Sequence, residues 1–184
     1  MKDLSELIGR LSEERPVDWD KLPDIELYRD QVLGYMKRQH SLLPDEEQLT
    51  GAMINNYIKS GLLPRANSKK YTKDHLVYLT AICSLKQVLS VGDTDRLMKH
   101  QDNISNAHEF YEEFLKQLNE AFLQTSEQLK VHLKKETDNG ELAATAMRFA
   151  ISGYVQKLVC EKILDILKER EIRNNAGKKS LKKV

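Results

Sequence analysis

Apolar positions recur at intervals of three and four along most of the chain, and the elements they predict are helices. Leu4, Leu7, Ile8 and Leu11 share one face of a short helix over residues 4–14, which Pro16 stops; "VDWDKLP" then reads as a linker. A second helix begins at Asp24 and runs to about Gln39, with Ile25, Leu27, Tyr28, Val32, Leu33, Tyr35 and Met36 as its apolar side. Pro44 and Asp45 open the next element. The helix ending at Ser60 carries Leu49, Met53, Ile54, Tyr57 and Ile58 on one buried face, and Gly61 is its terminator. Leu62, Leu63 and Pro64 follow, then the polar turn "RANSK", then Lys70, Tyr71 and Thr72. That stretch is too short for a helix and has the shape of a small β-hairpin or wing. Thr72 caps a helix from Lys73 to about Leu89, with Leu76, Leu79, Ile82, Cys83, Leu85 and Val88 in register; Ser90 caps a short one reaching about His100.

Two long helices follow. From Ile104 to Glu136 the apolar seam runs through Tyr111, Leu115, Leu118, Phe122 and Leu129, with His108, Thr125 and His132 at the remaining positions. "DNG" at Asp138 to Gly140 is a turn, and the last helix extends from about Glu141 to Arg173. Its first half, from Leu142 to Ile151, is apolar nearly all round, so it needs a partner beyond its hairpin neighbour; a second copy of the chain is the simplest. The expected layout is an N-terminal helical arm and linker (1–21), a compact domain (22–100), a helical hairpin for dimerisation or effector binding (101–175) and a disordered basic tail (176–184).

Composition adds little except where charge is concerned. "MKDLSELIGRLSEERP" has no uncharged apolar core of the kind a signal peptide needs, and no stretch approaches the roughly 20 apolar residues of a membrane span. Cys83 and Cys160 have no partner spacing and are expected as reduced core residues, which fits a cytoplasmic protein without membrane attachment. The net charge of +1 points to no partner, but its distribution does. Residues 1–49 carry seven bases and twelve acids, whereas residues 50–73 carry Lys59, Arg65, Lys69, Lys70 and Lys73 and no acid. A local basic patch is what a nucleic-acid binder requires.

The same segment holds adjacent asparagines, Asn55 and Asn56, inside a helix, where Asn is a poor choice because its side chain competes for backbone hydrogen bonds. Asn suits bidentate pairing with adenine in the major groove; the plainer reading is a bond to a neighbouring loop. The two lie 100° apart, so one is expected to reach a base rather than both. Arg65, Lys69 and Lys70 suit phosphate contacts, against the plainer reading of a solvated turn. Thr50, Lys59 and Lys73 complete the candidate interface, with Tyr71 as a hinge and Tyr57 turned to the core. The five histidines do not cluster. No HExxH, CxxC, glycine-rich phosphate loop or GxSxG elbow occurs, so neither an enzyme, a metal site nor a cofactor is expected.

The words "NNYIKSGLLP", "KKYTKDHLVYLTAICSLKQVLSV" and "SVGDTDRL" resemble the DNA-binding domain of MerR-type regulators. Still more closely, "LPDIELYRDQV", "MINNYIKSGLLP" and "KKYTKDHL" look like the bacterial family known as domain of unknown function 1836; the resemblance covers roughly residues 22–100. It implies a mainly α fold: a MerR-like winged helix-turn-helix with a small β wing, followed by a C-terminal pair of long helices. Departures are visible. About 22 residues precede the domain, Asn55-Asn56-Tyr57-Ile58 stands where MerR proteins carry Arg-Tyr-Tyr-Glu, and Lys69-Lys70-Tyr71 stands in place of a Gly-Tyr-Arg wing. The expectation is a dimeric, sequence-specific transcriptional regulator on double-stranded DNA, open to a small-molecule or protein effector. The alternative is a protein–protein interaction module that uses the winged helix and the apolar C-terminal helices. In either case the acidic N-terminal residues could mask the basic patch.

Overall fold

The helix over Lys73–Leu85 is buried on nearly every side, and the first unit of the protein is built around it. A computed structural model describes residues 4–100, 106–131 and 138–181, with side chains as far as Asn174. The chain divides into two units, residues 1–133 and 134–184. The first contains α1 (Leu4–Glu13), β1 (Leu27–Tyr28), α2 (Arg29–Gln39), α3 (Gly51–Ser60), β2 (Lys70–Tyr71), α4 (Lys73–Leu85), α5 (Val91–Lys99) and α6 (Ala107–Val131), with 3-10 turns at Trp19–Lys21 and Asp45–Glu47. The second is α7 (Asn139–Leu181). The architecture is thus mainly α with one two-stranded sheet.

Two hydrophobic clusters meet at α4. Leu76, Leu79, Ile82 and Cys83 join Val32 and Met36 of α2, Ile54 and Tyr57 of α3, and Leu27, Leu62, Leu63 and Tyr71. Val77 and Ala81 join Leu22 and α6 residues Ala107, Phe110, Tyr111 and Leu115. This is why α4 is apolar over more than one stripe. Its fully buried Thr80 is satisfied locally, donating to the Leu76 carbonyl at 2.8 Å.

Helix ends follow local chemistry. The Thr50 hydroxyl accepts from the Met53 N–H at 3.2 Å, and Ser90 does the same for Asp93 at 3.1 Å. Gly61 ends α3 at φ +80°, a left-handed conformation that costs glycine nothing sterically. Asn106 and Asp138 cap α6 and α7, each accepting at 2.9 Å, so the expected "DNG" turn is the first turn of α7.

Several expectations are corrected. The helix expected from Asp24 starts at Arg29, because Leu27 and Tyr28 before it form β1; Leu27 is buried, and Ile25 and Tyr28 are exposed. The expected hairpin within residues 62–71 is not the pairing that forms. β2 pairs antiparallel with β1, Leu27 opposite Tyr71 and Tyr28 opposite Lys70, while Leu62 and Leu63 are core residues. Inside the loop a single bridge, Asn67 to Lys70, closes a tight turn whose Lys70 N–H donates to the Asn67 carbonyl at 2.8 Å. The expected linker packs down instead. Leu22 is core, Trp19 lies 4.5 Å from the His108 ring, and the Tyr111 hydroxyl donates to the Val17 carbonyl at 2.7 Å. His108 itself is exposed rather than in a seam. α4 ends at Leu85 and α7 runs on past Arg173 to Leu181, through part of the tail expected to be disordered. Ile104, His132 and residues 133–136 of the expected long helix lie outside the described residues.

Cys83 is buried and Cys160 is partly exposed; both are free thiols. No helix among the described residues is long and apolar enough to cross a membrane.

The turn gives a first prediction. Ser68 and Lys69 both have positive φ, +48° and +65°, as a type I′ turn requires of its central residues. A side chain pays about 1 kcal/mol there, partly offset in glycine by its freer unfolded chain. Ser68→Gly should therefore raise stability by about 0.5 kcal/mol, read as a higher urea midpoint at unchanged m. A lower midpoint would mean that the Ser68 hydroxyl holds the turn.

Candidate nucleic-acid interface

α3 turns one face to the core and the other outward. Ile54 and Tyr57 are buried, and the Tyr57 phenol is pushed up to about 12 by that burial. Ala52, Asn55, Asn56 and Lys59 fall at i, i+3, i+4 and i+7 and are all exposed. Neither asparagine bonds to a neighbouring loop among the described residues.

Beside that face lies a groove of about 630 Å³ between α3, the loop after it and the start of α2. Asn55, Arg65 and Lys69 line it, with Ile58, Ala66 and Tyr71 also in its wall. Arg29, which the sequence did not single out, lines it too. Its side chain lies over Gly51, with Cδ and Nε 3.5 Å from where a β-carbon on that glycine would sit. Its guanidinium lies 3.9 Å from Asp30, which lines the groove as well. A positive residue at the start of α2 could be found only by knowing that α2 and α3 dock, since it stands outside the basic run.

The nine sequence candidates separate in space. Asn55, Arg65, Lys69 and Tyr71 come together at the groove; Asn56 and Lys59 continue the outer face of α3 without lining it. Among the described residues no acid pairs with Lys59, Arg65 or Lys69. Lys70 and Lys73 are different. Lys70 Nζ lies 3.7 Å from Glu26 and 5.9 Å above the Tyr28 ring. Lys73 Nζ lies 2.8 Å from Asp24 and 4.7 Å above Trp19, with its side chain largely covered. Thr50 is committed to its cap, and Tyr71 is a core residue meeting His75 edge-on at 5.5 Å.

His75 supports the loop from beneath. Its Nδ1 accepts from the Thr72 N–H at 3.1 Å, which leaves Nε2 to carry the proton. Burial lowers its pKa, opposed by the carbonyls of Arg65 and Pro64. The acids that meet the basic segment are Asp24 and Glu26, whereas α1 packs on α6.

No group of three or more metal-ligating side chains occurs among the described residues. The family model described as "Domain of unknown function (DUF1836)" matches residues 17–122. The match opens at Val17, which holds the Tyr111 hydroxyl, and closes at Phe122 within α6, so it takes in both core clusters and the groove. No curated protein and no solved structure matches the chain.

Proposed function

We propose that this chain, which belongs to the DUF1836 family, is a cytoplasmic, sequence-specific DNA-binding regulator of MerR-like type that lays α3 in the major groove. The observation that carries this reading is the exposed stripe of Ala52, Asn55, Asn56 and Lys59 beside Arg65 and Lys69, which no acid pairs with among the described residues. A helix is about 10–12 Å across with its side chains, which suits a groove about 12 Å wide, and Ala52, Asn55 and Asn56 on the outer face of α3 are short enough for close approach. Arg29, Arg65 and Lys69 flank it, where backbone phosphates would run. The turn at residues 67–70, tied to β1 through β2, takes the part of the wing.

Dimerisation through α7 belongs to the same reading. That helix exposes Met147, Ile151, Tyr154, Leu158 and Ile163, large apolar residues a single copy leaves open to water. Two copies would present two α3 helices to a two-fold site.

The test is a binding selection from random duplex DNA at near-physiological salt. The expected result is an enriched two-fold motif containing adenine. Asn55→Ala should then lose about 1–3 kcal/mol of discrimination at one position per half-site while general affinity stays. No enrichment by the folded protein would overturn the reading. It would favour the second one, an interaction module, for which the exposed apolar side of α7 is the specific support.

A further inference from the structure

The groove beside α3 carries more chemistry than a run of backbone phosphates uses. Arg29, Arg65 and Lys69 bring three positive charges to a space of about 630 Å³. Small-molecule sites commonly measure about 300–1,000 Å³. Asp30 belongs to the same lining, its carboxylate 3.9 Å from Arg29 and its side chain 92% exposed. Ile58, Ala66 and Tyr71 add an apolar stretch. Asn55, Arg65, Lys69 and Asp30 are all exposed, so a ligand reaches them without any rearrangement. The wall that carries Lys69 is held in place: Lys69 lies in the tight turn closed by Asn67 and Lys70, and Tyr71 pairs with Leu27.

Each part of the lining selects a chemistry. Three cations against one carboxylate favour a ligand with more than one negative charge, and guanidinium groups match the oxygens of a phosphate. An ionised carboxylate only accepts hydrogen bonds and repels a bare phosphate chain, so Asp30 calls for a donor placed away from the ligand's charge. The apolar stretch gives a flat, uncharged body a surface to lie on. A phosphate, an uncharged ring system and an amine on that ring meet all three conditions together.

We propose that the groove binds a free nucleoside monophosphate with an amino-bearing base, its phosphate on Arg65 and Lys69, its amine on Asp30 and its base against Ile58 and Ala66. A ligand so placed takes up Arg65 and Lys69 and covers Asn55, and it excludes duplex DNA from the same face. That exclusion rests on the reading of α3 given above, whereas the binding does not.

Adenosine monophosphate (AMP) is the probe, titrated into the full chain without DNA and followed by NMR. Saturable shifts are expected at Asn55, Ile58, Ala66 and Lys69. Adenosine, which lacks the phosphate, and inorganic phosphate, which lacks the base, should each bind about tenfold more weakly, the scale of one charge-assisted hydrogen bond. Inosine monophosphate puts a carbonyl where AMP has its amine and should also bind about tenfold more weakly; Asp30→Ala should erase that difference. Arg65→Ala with Lys69→Ala should weaken AMP by about tenfold or more. All three side chains are exposed, so these variants should keep the fold, checked by unchanged shifts of Leu76 and Ile82 in the core. No saturation, shifts elsewhere, phosphate alone binding as well as AMP, a preference over inosine monophosphate that survives Asp30→Ala, or undiminished binding by the double variant would overturn the proposal. In a second arm AMP is added to the protein on a duplex recovered by the selection. Displacement is expected, and a duplex that stays bound at saturating AMP would overturn the exclusion. A selection that recovers no duplex overturns the DNA reading alone, because the titration decides the ligand site without it.

Discussion

Replacing Arg65 and Lys69 together with alanine should weaken duplex binding about 30-fold near physiological salt and flatten the log–log salt dependence by about two, each phosphate contact contributing about 0.9 to that slope. The choice of these two rests on what faces them. Both line the groove beside α3, and no described acid pairs with either. Lys70 and Lys73 sit in the same basic run, but Glu26 and Asp24 already hold them at 3.7 and 2.8 Å. Releasing a counterion from a lysine that has a carboxylate partner gains less, so Lys70→Ala and Lys73→Ala should each change affinity by no more than about threefold. Sequence preference should be the same in all of these variants, because phosphate contacts position the protein and do not select bases. Fluorescence anisotropy on one duplex at several salt concentrations separates the cases. If Lys70→Ala matches the double variant, or if the double variant shifts the preferred sequence, the roles given to these side chains are wrong.

Tyr111→Ala should cost about 4 kcal/mol of stability, the upper range for emptying a large aromatic from a core. Tyr111 is fully buried between α4 and α6, and its hydroxyl donates to the Val17 carbonyl at 2.7 Å. Burial raises its pKa, as for a phenol that remains neutral inside the protein. Alanine would leave a cavity beside Val77 and Ala81 and an unbonded carbonyl at residue 17. Tyr111→Phe keeps the ring and should lose only about 1 kcal/mol. Urea unfolding distinguishes them through the midpoint, with m unchanged. A loss below about 1 kcal/mol for Tyr111→Ala would show that the second cluster repacks around α6 and that Val17 is not anchored through this ring.

The features visible in the sequence are those whose cause is local. Thr50, Gly61 and Ser90 end their helices through bonds spanning three or four residues, and the 3/4 spacing of Leu76, Leu79, Ile82 and Cys83 announces α4. The outward face of α3 was legible for the same reason: Ile54 and Tyr57 fix the inward side. What escaped depends on distant neighbours. Ile25, Leu27 and Tyr28 fit a helical stripe, but Leu27 and Tyr28 pair with β2 instead. Lys73 looks free until Asp24, 49 residues earlier, comes within 2.8 Å. Arg29 joins the groove because α2 docks on α3, which no window along the chain displays. The residues from Pro16 to Leu22 look like a linker because their apolar members have no period; they pack by filling a gap between α4 and α6.

The β1–β2 ladder also decides what the basic loop depends on. Its two halves are only two residues each, and they are separated by α2, α3 and the basic loop. So short a ladder has no stability of its own. Bringing its ends together carries the loop-closure cost of the whole intervening chain, which docking of α2 against α3 offsets. Leu62 and Leu63 anchor the loop at its start, and the ladder anchors it at its end. The position of Arg65 and Lys69 thereby depends on Leu27 and Tyr28, so a substitution in that distant stretch would reach the wall of the groove through the ladder.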